Sequence, residues 1–223
     1  MASPAYPPGT SASATASASA SIVRPAAFAL AHPPLAAGPS LPRATLVIGG
    51  ARSGKSTYAE GMIDDARTPQ GARPVYIATA EARDSEMAER IRLHRERRGL
   101  SWETIEEPQD LVGVLTAHNG RVTLVDCLTL WLTNVLLADK DIPVERDRLV
   151  ATVAGLAGPA ILIANEVGLG IVPDNALARR FRDEAGLLNQ AIAKVCDRVI
   201  FMAAGLPMVL KDEAATAATG AAR

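Results

Sequence analysis

No acidic residue precedes Glu60 in this 223-residue chain, aromatic residues make up only 4% of it, and cysteine occurs twice, at Cys127 and Cys196. Each scarcity excludes something. Two thiols far apart, without metal-type spacing, cannot build a zinc ribbon or a disulfide framework, and they point to buried thiols in a reducing, cytoplasmic setting. No charge-free apolar run is long enough to cross a bilayer, so membrane insertion is not expected. A formal charge of −1 argues against the one-sign field of a general nucleic-acid binder. No repeat of fixed period is present.

The missing acids also divide the chain. Residues 1–43 are rich in Ala, Ser and Pro and carry only Arg24 and Arg43 as charged side chains. Such a segment lacks the large apolar residues that offset ordering entropy, and a disordered leader is expected. A targeting peptide, an over-long start and a solubilising tail remain open readings of the same letters. Residues 44–211 read as one catalytic domain, and 212–223 as a flexible tail.

What is present begins with Gly49-Gly50-Ala51-Arg52-Ser53-Gly54-Lys55-Ser56, which fits G-x-x-x-x-G-K-[ST]. A short apolar run, Ala44 to Ile48, precedes it as a candidate buried strand, and Thr57 to Glu60 can open a helix, which Pro69 and Gly71 would end. In such a loop, backbone N–H groups turn around an anion. The helix N-terminus adds positive charge, Lys55 reaches the β and γ phosphates of a nucleotide, and Ser56 ligates Mg²⁺.

Further strands are expected at 74–79, 121–126, 160–164 and 198–203, with weaker candidates at 101–105 and 208–210. Helices are expected at 84–98, from Pro108 to about 117, and at 128–137, 144–156 and 176–196. This alternation predicts an α/β fold with an open, mostly parallel sheet and helices on both faces.

Asp126 ends an apolar strand, as expected of the acid that holds Mg²⁺ in a phosphate-loop enzyme, although the same carboxylate could cap the next helix. Glu166 could act on an acceptor hydroxyl or the metal's water shell, or pair with the arginines that follow it. His94 stands among Arg90, Arg92, Arg95, Arg97 and Arg98. Arginine forks suit phosphate oxygens, and a neutral imidazole beside them can attack a nucleotide phosphorus; a solvated helix face is the alternative.

The phosphate loop, Tyr76-Ile77-Ala78-Thr79, the run from Glu86 to Arg95, and Asn165-Glu166-Val167-Gly168 with Ile171-Val172-Pro173 together resemble the bifunctional adenosylcobinamide kinase / adenosylcobinamide-phosphate guanylyltransferase family. The resemblance covers roughly Thr45 to Leu210. It implies a phosphate-loop NTPase fold of RecA-like type, assembled as a trimer, and an enzyme of cobalamin biosynthesis. That enzyme phosphorylates adenosylcobinamide with ATP or GTP, then transfers GMP from GTP to adenosylcobinamide phosphate through a guanylyl-histidine. By motif, His94 would carry the guanylyl group and Lys55 would serve phosphoryl transfer. Gly49 to Ser56, Ile77, Ala78, Thr79, Arg95, Glu96, Arg97, Arg98, Glu106 and Asp126 would contact nucleotide, with Ser56 and Asp126 at Mg²⁺. The chain departs from the family at its leader and at Ala203-Ala204-Gly205. A kinase without guanylyl transfer, and a nonenzymatic NTP-binding switch, are the competing readings.

Overall fold

Strands rich in Val, Ile and Leu, with no polar face, need cover on both sides, and the chain supplies it. The computed structural model describes residues 41–66, 73–81, 89, 92 and 101–213. The expected leader up to residue 40, Pro69 and Gly71, most of the expected helix 84–98 with His94, Arg95, Glu96, Arg97 and Arg98, and the tail from 214 lie outside them.

Within the described residues the order is β1 (Ala44–Gly49), α1 (Lys55–Asp64), β2 (Val75–Ala78), β3 (Glu103–Glu106), α2 (Leu111–Ala117), β4 (Thr123–Asp126), α3 (Leu128–Leu137), α4 (Ile142–Ala154), β5 (Ala160–Asn165), α5 (Ala176–Val195), β6 (Arg198–Ala203) and β7 (Leu206–Asp212). The sheet order is β3-β2-β4-β5-β1-β6-β7. All neighbours pair in parallel except β6 and β7, which form an antiparallel hairpin. The α/β, mostly parallel architecture expected from the sequence is the one adopted.

Side chains alternate across the sheet with the period of two that strands impose. Leu46, Val75, Ile77, Val125, Leu162 and Ala164 face one core, packed by α2, α3, α4 and α5 through residues such as Leu111, Trp131, Leu149 and Leu188. Val47, Tyr76, Leu124, Ile161 and Ile163 face the other, closed by Ala59, Met62 and Ile63 of α1 and by Trp102. No helix among the described residues is long and apolar enough to cross a membrane.

Two helices start elsewhere than Pro108 and Val144 suggest. The Glu107 carboxylate accepts from the N–H groups of Gln109 and Asp110, which holds Pro108 in a turn, and Asp110 then caps α2 by accepting from Gly113 N. Asp141 caps α4 by accepting from Val144 N, so the helix begins at Ile142. At the amino end, Arg43 is part of the folded unit. Its guanidinium donates to the carbonyls of Val153 and Ala154, which end α4, and of Val195, which ends α5, and pairs with Asp197 at 2.9 Å.

Candidate active site

The parallel strands place their carboxyl ends along one edge, and ligands of open α/β sheets bind there. Gly49 ends β1 opposite Asn165 of β5 and Met202 of β6. A Cβ at Gly49 would clash with the Met202 carbonyl oxygen, so glycine is required by close approach. The loop then turns through left-handed conformations at Arg52 (φ 57°) and Gly54 (φ 96°). Gly54 caps α1, leaving the N–H groups of the helix's first turn directed at the loop.

A β-hairpin turn supports this loop from the other side. Gly205 N donates to Ser53 O at 3.0 Å, and a Cβ at Gly54 would come within 3.3 Å of Gly205 Cα. The Ala203-Ala204-Gly205 segment, where the sequence departs from the family pattern, therefore supports the phosphate loop.

Lys55 is only 7% exposed. Its ammonium donates to Gly50 O at 2.6 Å and lies 3.5 Å from Ser53 Oγ. Burial lowers its pKa from the usual lysine range, opposed in part by the Asp126 carboxylate beside it. Removing this cation from water leaves it poorly compensated, which favours an anionic ligand in the loop.

β5 separates the loop-bearing strand β1 from β4, yet their ends meet. Ser56 Oγ donates to Asp126 Oδ2 at 2.9 Å, and Tyr76 Oη donates to the same oxygen at 2.6 Å. Cys127 caps α3 with no side-chain hydrogen bond, so Asp126 does not serve as the helix cap that was its alternative reading. A hydroxyl and a carboxylate side by side form a hard oxygen pair suited to Mg²⁺. No cluster of three His, Cys, Asp or Glu side chains occurs among the described residues.

The remaining candidates separate into framing and peripheral positions. Thr79 is fully buried; its hydroxyl donates to Cys127 O and accepts from Cys127 N, tying β2 to the turn after Asp126. Ile77 is likewise fully buried, and Ala78 nearly so. The side chains of Ile77 and Thr79 thus frame the site rather than line it. Glu106 is exposed at the end of β3. In the sheet order it lies four strands from β1, or roughly 19 Å at about 4.8 Å per strand. Glu166 Oε1 accepts from Gly168 N at 2.6 Å, while its backbone N–H donates to Gly49 O. It closes a turn beside the phosphate loop, and among the described residues it makes no ion pair with the arginines that follow it. Arg92 pairs with Glu89 at 2.6 Å.

Sequence reasoning missed Tyr76 as a holder of Asp126. It also missed Asn134, whose amide donates to Thr79 O and Pro108 O, and Thr129, whose hydroxyl accepts from Asn165 N. The one available signal was polarity at buried helical positions: Thr129 and Asn134 are buried in apolar α3.

Comparison with known proteins agrees with this geometry. Residues 45–210 match the family described as cobinamide kinase / cobinamide phosphate guanyltransferase. The bifunctional adenosylcobalamin biosynthesis protein CobP of Pseudomonas aeruginosa is 52% identical over 172 residues, spanning 75% of this chain and 97% of the relative. The proteins named bifunctional adenosylcobalamin biosynthesis protein CobU from Escherichia coli and Salmonella typhimurium are 38% and 39% identical, each over 74% of this chain and 98% of theirs. The match takes in the phosphate loop, Asp126 and the hairpin that supports them, and this chain belongs to the cobinamide kinase / cobinamide phosphate guanyltransferase family.

Proposed function

We propose that this protein phosphorylates the aminopropanol hydroxyl of adenosylcobinamide with ATP or GTP. It then transfers GMP from GTP to adenosylcobinamide phosphate, releasing pyrophosphate and leaving adenosylcobinamide-GDP. The observation that carries the reading is the meeting of Ser56 with Asp126 beside the Lys55 loop, in a chain of this family.

In the first reaction the substrate hydroxyl oxygen attacks the γ-phosphorus, its proton passes to solvent, and the bond to the bridging oxygen breaks as the nucleoside diphosphate leaves. The loop amides and Lys55 stabilise charge on the transferring group and the leaving phosphates. Ser56 and Asp126 are the residues that would hold Mg²⁺, which when bound neutralises phosphate charge. Tyr76 keeps the Asp126 carboxylate turned toward Ser56. Thr79 and Asn134 fix the strand ends that carry these groups, and Ile77 packs behind them.

The second reaction needs attack at the α-phosphorus. His94 forms a nitrogen–phosphorus bond as pyrophosphate leaves; an oxygen of adenosylcobinamide phosphate then displaces the imidazole. Arg95, Arg97 and Arg98 supply guanidinium groups for phosphate oxygens, while Glu96 and Glu106 contribute polar contacts to GTP. Acid protonates His94 and suppresses this activity more than the first.

The protein works in the cytoplasm as a homo-oligomer, a trimer by family resemblance. Support for assembly comes from β7, an edge strand on which Leu206, Met208, Val209 and Leu210 are exposed.

The test supplies adenosylcobinamide with Mg²⁺ and ATP, then GTP, and separates the products by chromatography. The reading predicts the phosphate ester first and the GDP conjugate with pyrophosphate second. Arrest at the ester would favour a kinase alone, and nucleotide binding without acceptor-dependent product would favour a switch.

A further inference from the structure

Between β5 and α5 the chain runs Glu166-Val167-Gly168-Leu169-Gly170-Ile171-Val172-Pro173-Asp174-Asn175. Both ends of this loop are held. At its start Glu166 N donates to Gly49 O, and the Glu166 carboxylate accepts from Gly168 N. At its end Arg179 of α5 donates to the carbonyls of Pro173 and Asp174, and Asn175 caps the helix by accepting from Leu177 N and Ala178 N. The stretch between these ties carries Leu169 at 83% exposure, Ile171 at 97% and Val172 at 59%.

Three large apolar side chains presented to water on a loop anchored at both ends are a poor surface for solvent and a suitable one for an apolar ligand. Their place narrows the ligand. Asn165 pairs with Gly49, the first residue of the phosphate loop, and four residues further on Leu169 lies at most about 14 Å along the chain. Whatever covers this tip sits at the sheet edge where phosphate chemistry occurs. The nucleotide's phosphates are polar, and the reaction brings one large partly apolar reactant to that edge: a corrinoid, with a methyl-studded macrocycle and an arm ending in the reacting hydroxyl.

We propose that Leu169, Ile171 and Val172 form the apolar wall on which the corrin ring of adenosylcobinamide and of its phosphate rests while the aminopropanol arm reaches the phosphate loop. The proposal rests on the corrinoid activity proposed above. The ties at Gly49 and Arg179 hold the wall in register with the loop, so ring contact sets where the hydroxyl arrives.

The test compares Ile171→Asp and Ile171→Leu with the wild type as full-length proteins. Adenosylcobinamide binding is followed by its visible absorbance in equilibrium dialysis, GTP binding by calorimetry, and assembly by light scattering. Ile171→Asp is expected to weaken corrinoid binding tenfold or more, with GTP binding and mass unchanged, and Ile171→Leu to bind like the wild type. Unchanged corrinoid affinity in Ile171→Asp would overturn the wall. A fall in mass with the lost affinity would also overturn it, assigning the loop to a contact between copies. If the wild type binds GTP but no corrinoid, the activity beneath the proposal fails, and the wall with it.

Discussion

Asp126 shows how a strand-end carboxylate is held by side chains rather than as a helix cap. One of its oxygens accepts from both Ser56 and Tyr76, and Tyr76 is itself fixed by edge-to-face packing on Trp102, with ring centroids 5.8 Å apart. Tyr76→Phe keeps the ring and removes one donor to a carboxylate, a bond type that contributes about 1.5–3 kcal/mol. It should lower kcat roughly tenfold and raise the Mg²⁺ concentration needed for half-maximal rate, while Phe still fills the core. A variant with wild-type Mg²⁺ dependence would show that the tyrosine only packs. The thiols make a second prediction. Burial pushes Cys127 up to about 11 and Cys196 up to about 12, so both stay protonated and unreactive at pH 8. An aromatic disulfide reagent should titrate neither thiol in the native protein and both after denaturation; fast native labelling of Cys127 would contradict its packing against the core.

At the scale of elements, the phosphate loop is held by three neighbours: β5 through Glu166, the hairpin turn through Gly205, and β4 through Ser56 and Asp126. At the opposite edge Arg43 joins the ends of α4 and α5 to the start of β1, a cation across two helix C-termini. Arg43→Ala leaves these carbonyls and Asp197 without that partner and should cost about 2 kcal/mol of stability, seen as a lower Tm with kcat per folded molecule unchanged. An unaltered Tm would remove the clamp. The strands and the loop were legible in the sequence because their signals are local: an apolar run, a glycine pattern, a terminal acid. Tyr76 with Asp126, Thr79 with Cys127 and Arg43 with Val153 join positions 50, 48 and 110 residues apart. No local spacing encodes such pairings. The start of α4 was missed for another reason: Asp141-Ile142-Pro143 is a cap followed by a first-turn proline, overshadowed by the apolar periodicity beginning at Val144.

For the whole molecule, the sequence reading of an α/β phosphate-loop enzyme of this family agrees with the fold and with the family match over residues 45–210. The leader is proposed to be dispensable. A chain beginning at residue 41 should retain the Tm and both activities, whereas one beginning at Ala44 should lose stability like Arg43→Ala. Loss of activity in the longer form would give the leader a role.

We propose that one domain performs both transfers, the second through His94. The most direct measurement incubates the full-length protein and His94→Ala with Mg²⁺ and GTP labelled at the α-phosphate, without corrinoid, and follows protein-bound label. Acid-labile, alkali-stable label on the wild type alone is the predicted result, as expected for a phosphoramidate. An unlabelled wild type that demonstrably binds GTP, or equal labelling of His94→Ala, would contradict it.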